Sequence, residues 1–161
     1  MTHPHTALVI GGGIAGPVAA MALREAGTKA TVLEAHPSSA QGIGIFLTLA
    51  SNGIDAVRAI GADRRALEAG FPTPGITLRS TTAKHLGVAR TGRSLPDGTP
   101  SHTLKRADLY QAIHDEAASG GIAVEHGKRL VDVVEPPGDR VQVLFDDGSK
   151  ARRAQKPGRV R

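Results

Sequence analysis

The N-terminal part of the chain alternates between apolar and polar positions in a pattern typical of a β-α-β unit. Residues 7–10 form a short apolar run before a glycine cluster, as expected for a buried parallel strand. Residues 14–27 carry apolar side chains at helical spacing and end at a glycine, and residues 29–35 predict a second strand. The predicted apolar face of the helix consists of Ile14, Ala15, Val18, Ala19, Ala22, Leu23 and Ala26.

The rest of the pattern predicts further helices, two antiparallel hairpins and a short strand. At the start of the first of these helices, Ser51 or Asn52 is the expected N-cap, because either side chain can accept a hydrogen bond from a backbone N–H. The hairpins show period-two alternation around turn residues. The predicted helices cover residues 50–61, 63–70 and 106–121, the hairpins residues 75–91 and 128–148, and the strand residues 122–127.

Composition and charge narrow the class of protein. The 161 residues correspond to about one domain, and the lack of cysteine excludes disulfides and thiolate metal sites. Residues 150–161 hold six of the 20 basic residues, so the other 14 face 15 acidic residues and the net charge of +5 belongs to this end. With only four aromatic residues for base stacking, a nucleic-acid partner is not expected.

The uncharged residues 7–23 are too few and too rich in glycine to cross a membrane, so we expect a cytoplasmic protein without a membrane partner.

Residues 11–16 have the G-x-G-x-x-G spacing of a dinucleotide-binding loop, between a predicted strand and a predicted helix. Gly11 permits the tight turn, Gly13 lets a pyrophosphate approach the backbone, and Gly16 lets the helix lie close to the sheet. The unpaired N–H groups at the start of the helix point toward the phosphates. Glu34 closes the next strand, where its carboxylate can accept the ribose hydroxyls of an adenosine and repel the 2′-phosphate of NADP.

Four stretches of the sequence resemble the FAD-dependent aromatic-ring hydroxylase and monooxygenase family, which includes para-hydroxybenzoate hydroxylase. They are VIGGGIAGPVAAMALREAGTKATVLEA, GIGIFLTLASNGIDAVRAIGA, LKRADLYQAIHDEA and GIAVEHGKRLVDVVEPPGDRVQVLFDDGS. The resemblance covers nearly all of residues 6–149. It implies an α/β, Rossmann-like FAD/NAD(P)-binding fold, with a parallel sheet, helices and an antiparallel hairpin, that is incomplete at the C-terminus.

The resemblance also implies FAD as the cofactor, NAD(P)H as the reductant, and O2-dependent hydroxylation or epoxidation of a small aromatic or polyketide-like substrate. Arg106 matches the family arginine that contacts the flavin cofactor; an ordinary surface arginine is the alternative interpretation. Gly42 and Gly44 match a loop near the flavin, and a strand bulge or turn is the alternative. No metal ligand and no catalytic acid or base is predicted. The predicted cofactor-binding residues are Gly11, Gly13, Ala15, Gly16, Glu34, Gly42, Gly44 and Arg106.

Residues 150–161 predict a disordered basic tail that follows an FAD-binding domain at residues 1–149. Two later segments of the family, a G-A-D-G stretch and a G-D-A motif, do not occur in the sequence. We therefore interpret the chain as a truncated or frameshifted monooxygenase that lacks catalysis alone and self-associates through an incomplete sheet. A functional basic tail is the alternative interpretation.

Other functions stay open on the sequence alone, because the glycine fingerprint does not separate NAD from FAD. One is a non-catalytic module that binds the ADP moiety of either dinucleotide. Another is a flavin oxidoreductase of the same fold that does not activate oxygen. A glycine-rich strand–helix turn without any ligand is the simplest alternative, and the combination of strand, helix and acid disfavours it.

Overall fold

The computed structural model describes residues 5–38, 44–135 and 140–154. The chain divides into two compact units: a discontinuous unit that combines Met1–Ala40 with His114–Arg161, and an inserted unit, Gln41–Ile113. The sequence pattern gives no sign of this division, because no linker or change of composition marks either boundary.

The helices and strands of the described residues include the predicted β-α-β unit, the predicted helices and the strands of the predicted hairpins. They also include strands in residues 70–72 and 102–105 that the sequence pattern does not predict. In chain order they are β1 (Thr6–Ile10), α1 (Ala15–Glu25), β2 (Lys29–Leu33), β3 (Phe46–Leu49), α2 (Ser51–Arg58), α3 (Asp63–Glu68), β4 (Gly70–Pro72), β5 (Gly75–Arg79), β6 (His85–Arg90), β7 (His102–Lys105), α4 (Arg106–Ser119), β8 (Ala123–Glu125), β9 (Leu130–Val134), β10 (Arg140–Phe145) and β11 (Lys150–Ala154).

A parallel three-stranded sheet, in the order β1-β2-β8, belongs to the discontinuous unit. β1 and β2 pair from Thr6 opposite Lys29 to Ile10 opposite Leu33, and α1 connects them. This confirms the predicted β-α-β unit. β2 is the middle strand, and residues 30–33 are buried, as expected for a parallel strand covered on both faces.

The buried side of α1 differs from the predicted one. The buried side chains are Pro17, Ala20 and Met21. Four alanines of the predicted apolar face, at positions 15, 19, 22 and 26, are exposed instead. The predicted face was wrong because alanine occurs on every side of this helix, and a single methyl group gives little hydrophobic contrast between the sides.

An antiparallel sheet, in the order β11-β10-β9, also belongs to the discontinuous unit. Leu33 of β2 forms a buried cluster with Val143 and Phe145 of β10. The partly buried side chains that pack against this cluster are Leu8, Leu130, Val141 and Ala151. The cluster therefore joins the parallel sheet to the antiparallel one through apolar contacts.

Strand β11 corrects the predicted end of the ordered domain. It begins at Lys150, the first residue of the predicted tail, and pairs with β10 from Lys150 opposite Leu144 to Ala154 opposite Arg140. The prediction was wrong for residues 150–154 because backbone pairing holds the strand, and Ala151 is too small to produce an apolar period. Residues 155–161, the rest of the predicted tail, lie outside the described residues.

The inserted unit contains two antiparallel sheets, β3-β7-β4 and β5-β6, together with α2 and α3. The sheet β5-β6 confirms the hairpin predicted at residues 75–91. Helix α2 begins at Ser51 with Ala50 as its N-cap and has no side-chain cap hydrogen bond, so the predicted capping by Ser51 or Asn52 is wrong. Asn52 Oδ1 accepts the N–H of Gly53 instead, at 3.0 Å.

We expect Phe145→Ala to lower the free energy of unfolding by about 3–5 kcal/mol, since its removal leaves a cavity between the two sheets. Phe145 is 4% exposed, whereas Val133 on the neighbouring strand is 50% exposed. Val133→Ala is therefore the control, with an expected cost of about 0.5 kcal/mol or less. Urea denaturation measures both values, and two equally small effects would contradict the assignment of Phe145 to the core.

Candidate functional site

The chain makes a tight turn between β1 and α1. Gly11 has a φ of +102°, in the left-handed region that favours glycine, and its N–H donates to Leu33 O at 2.8 Å. A Cβ on Gly16 would lie 1.8 Å from Gly11 O, so α1 can approach the turn this closely only because residue 16 is glycine. These two glycines determine how closely α1 follows the end of β1.

The N-terminus of α1 offers space and hydrogen-bond donors to an anion. A Cβ on Gly13 would meet no atom within 4 Å, so Gly13 borders open space. Ile14 is the N-cap, Ala15 is the exposed first residue, and no side chain caps this described helix or places an acid in its first turn. The helix dipole adds partial positive charge at the same end. These features fit a pyrophosphate group.

Glu34 follows β2, and its carboxylate holds the glycine loop. Oε2 accepts the N–H of Gly12 at 2.5 Å, and Oε1 accepts the N–H of His36 at 2.8 Å. The hydrogen bond from His36, followed by that from Gly12, lowers the pKa of Glu34 against the opposing effect of burial, and the charges of His36 and His126 add to the lowering. The carboxylate is therefore ionised at neutral pH. Each oxygen has a second lone pair that can accept a ligand hydroxyl.

Gly12 is a residue of this site that the G-x-G-x-x-G spacing does not single out. It is buried, and a Cβ on it would lie 2.8 Å from Glu34 Cβ and 3.1 Å from Glu34 Oε2. The fingerprint allows any residue at position 12. In the structure the side chain of Glu34, 22 residues away, leaves no room for a Cβ on Gly12, so no local sequence signal reveals this requirement.

His114 is a second residue that the sequence does not reveal. Its Nε2 lies 2.7 Å from Gly12 O and 3.1 Å from Gly13 O. The residue belongs to α4, and 102 positions separate it from Gly12. A contact between a helix side chain and distant loop carbonyls leaves no periodic or spacing signal in a single sequence.

Gly44 and Arg106 lie together in the inserted unit. Arg106 is the first residue of α4, and its N–H donates to Ile45 O at 2.8 Å. Gly44 has a φ of +105°, and a Cβ on it would lie 2.9 Å from Arg106 Cδ. The arginine side chain therefore lies across the glycine backbone. Gly42, the other predicted residue of this loop, lies outside the described residues.

The structure thus places the predicted site residues in two groups. Those of the discontinuous unit are Gly11, Gly13, Ala15, Gly16 and Glu34, and those of the inserted unit are Gly44 and Arg106. Within residues 5–38, 44–135 and 140–154, no three His, Asp or Glu side chains are placed to hold a metal ion. None of the helices described is both long enough and apolar enough to span a membrane.

Residues 5–154 match the family described as the FAD binding domain, and the chain belongs to this family. The match confirms the resemblance identified from the four sequence stretches. The resemblance implied FAD as the cofactor, and FAD is also the cofactor in the description of the matched family.

Two curated relatives give the class of protein in which this domain occurs. Over 144 residues, the chain is 33% identical to the probable 2-heptyl-3-hydroxy-4(1H)-quinolone synthase of Rhodococcus erythropolis, covering 88% of this chain and 35% of the relative. Over 147 residues, it is 31% identical to the 3-amino-4-hydroxybenzoate 2-monooxygenase of Streptomyces cremeus, covering 89% and 36%. The chain spans about a third of the length of the curated relatives it matches.

Solved structures share the fold. HpxO of Klebsiella pneumoniae, complexed with FAD and uric acid, matches with a TM-score of 0.77 and 27% identity over 93% of this chain and 37% of that chain. The tetrameric form of 2-methyl-3-hydroxypyridine-5-carboxylic acid oxygenase matches with a TM-score of 0.77 and 22% identity over 94% and 38%. These matches, with the sheets described above, confirm the predicted α/β, Rossmann-like fold.

Gly16→Ala and Gly13→Ala form a matched pair that separates folding from binding. A methyl group at position 16 must displace Gly11 O, and we expect it to lower the free energy of unfolding by about 1–3 kcal/mol. A methyl group at position 13 enters open space, so we expect a change of about 0.5 kcal/mol or less, together with weaker ADP binding. Thermal unfolding and ADP titration measure the two effects. Equal losses of stability would contradict the geometry of the loop.

The lowered pKa of Glu34 predicts that its contribution to stability depends on pH. The carboxylate stabilises the fold above its ordinary pKa of 4.5, and this contribution is lost as the pH falls through the lower pKa of the folded state. We expect Glu34→Gln to be less stable than the wild type at neutral pH and the difference to shrink in acid. Urea denaturation from neutral to acidic pH measures the difference, with Asp55→Asn, which removes an exposed carboxylate from α2, as the control. A difference that does not change with pH would rule out this role for the carboxylate.

Proposed function

We propose that the chain binds FAD through the ADP half of the cofactor and is the FAD-binding portion of a monooxygenase. The full enzyme would use NAD(P)H and O2 to hydroxylate or epoxidise a small aromatic or polyketide-like molecule. The observation that carries the proposal is the uncapped N-terminus of α1 beside the open space at Gly13. Membership of the FAD-binding family and the monooxygenase among its relatives support it.

The discontinuous unit binds the ADP half in this proposal. The first-turn N–H groups of α1 donate to the pyrophosphate, with the positive end of the helix dipole behind them. Glu34 accepts the ribose hydroxyls through the lone pairs that Gly12 and His36 do not use. Its negative charge repels a 2′-phosphate, which excludes NADP from this site and assigns the reductant to another one.

Arg106, whose side chain lies over Gly44, contacts the flavin cofactor in this proposal. Arginine suits this role because its planar guanidinium carries several N–H donors in a fixed geometry. When bound, FAD supplies the transfer of electrons from NAD(P)H to O2. The described residues bind and orient the cofactor, and we assign none of them a role as catalytic acid or base.

A non-catalytic module that binds the ADP moiety is the second candidate function. The features that favour it are the glycine loop and Glu34, both in the discontinuous unit and both predicted to bind the ADP half. Such a module would bind ADP and FAD with similar affinity. A preference for FAD favours the monooxygenase instead.

We also propose that a small molecule is the substrate, that neither nucleic acid nor membrane is a partner, and that the protein is cytoplasmic. Self-association is proposed because several strands expose large apolar side chains. Those more than half exposed on β5, β6 and β9 are Ile76, Leu86, Val88 and Val131. Concentration-dependent sedimentation tests this part of the proposal.

Titration of the purified chain with FAD, followed by flavin fluorescence and thermal unfolding, tests the proposed function. We expect saturable binding, and at a hundredfold excess over Kd a stabilisation of about 2.7 kcal/mol. Gly13→Val should abolish binding of FAD and ADP because its side chain fills the space at the loop. NADP is the negative control. Failure of both FAD and ADP to bind would refute the proposal.

A further inference from the structure

The imidazole of His114 contacts the glycine loop through one nitrogen. Nε2 lies 2.7 Å from Gly12 O and 3.1 Å from Gly13 O. Both partners are carbonyl oxygens, which only accept hydrogen bonds, so Nε2 carries the proton and donates to both. His114 and the loop belong to the same compact unit. The contact therefore restrains two successive peptide groups of the loop.

Peptide geometry converts this restraint into a direction for the N–H groups. The peptides after Gly12 and Gly13 are trans, and in a trans peptide the N–H points opposite to the C=O. His114 holds both carbonyls on its own side. The N–H groups of Gly13 and Ile14 therefore point away from the imidazole.

The same two N–H groups lie where an anion can reach them. The preceding N–H groups of the loop are engaged within the protein: Gly11 N–H donates to Leu33 O, and Gly12 N–H donates to Glu34. Ile14 is the N-cap of α1, which has no side-chain cap, and the position of a Cβ on Gly13 is open. Successive N–H groups that face open space form a concave anion site.

We propose that His114 is a positioning residue for phosphate binding at this loop. By holding the carbonyls of Gly12 and Gly13, it aims the N–H groups of Gly13 and Ile14 at the pyrophosphate. The inference rests on the proposed function of the same site. His114 itself makes no contact with the ligand in this proposal. We therefore expect His114 to affect the binding of the phosphates and not the binding of the adenosine.

The test compares the affinities of ADP and adenosine, measured by displacement of FAD, in the full chain and its variants. His114→Phe keeps a ring of similar size without a donor, and His114→Leu is measured beside it in case the larger ring disturbs α4. We expect either variant to bind ADP about tenfold more weakly, since one hydrogen bond contributes up to about this factor, and to bind adenosine within about twofold of the wild type.

The conservative variant and the control complete the test. His114→Gln places an amide N–H near the position of Nε2 and is expected to restore most of the ADP affinity. His85→Phe, which removes an exposed imidazole from β6, is expected to leave both affinities unchanged.

Three results would overturn the inference. Unchanged ADP affinity in both apolar variants would show that His114 does not orient the loop. An equal loss of ADP and adenosine affinity, with no recovery in His114→Gln, would show a general structural role. A wild-type chain that binds neither FAD nor ADP would instead refute the proposed function, and the role of His114 with it.

Discussion

The structure around the glycine loop depends on the carboxylate of Glu34. Its oxygens accept the N–H groups of Gly12, before α1, and of His36, after β2. The backbone of Glu34 is also paired: its N–H donates to Glu125 O, and its C=O accepts the N–H of Lys128, both at 2.8 Å. One residue thus connects the glycine loop, the end of β2 and the segment after β8. Hydrogen bonds to an ionised acceptor are about twice as strong as neutral ones, which suits this central role.

The lack of a Cβ at the glycines is as important to the loop as this carboxylate. Gly16 has no room for a Cβ beside Gly11 O, and Gly12 has none beside Glu34. Gly13 differs, because a Cβ there would contact nothing within 4 Å. The loop therefore contains glycines that permit close packing and one that leaves a space unfilled. The fingerprint leaves position 12 unrestricted, and only the neighbouring atoms show that a Cβ has no room there.

The accuracy of the sequence-based predictions depended on how far each pattern reflects local structure. The β-α-β unit and the hairpins were predictable because strand and helix periods are local properties of the chain. The buried face of α1 was not, because alanine provides little contrast between the sides of a helix. Strand β11 was missed because backbone pairing with β10 holds a basic segment in place. The contacts of His114 and Gly12 depend on partners distant in the sequence, which no local pattern reports.

The two hydrogen bonds that the Glu34 carboxylate accepts from backbone N–H groups also limit which residues can replace it. Replacing Glu34 with a neutral or basic residue is the obvious route to accepting a 2′-phosphate. A basic replacement would leave the N–H groups of Gly12 and His36 without their acceptor, and an amide would supply one acceptor oxygen in place of two. A redesign that keeps both hydrogen bonds therefore needs a compensating substitution that supplies the lost acceptor. A substitution at position 34 is therefore expected to change the integrity of the loop as well as any ligand preference of the site.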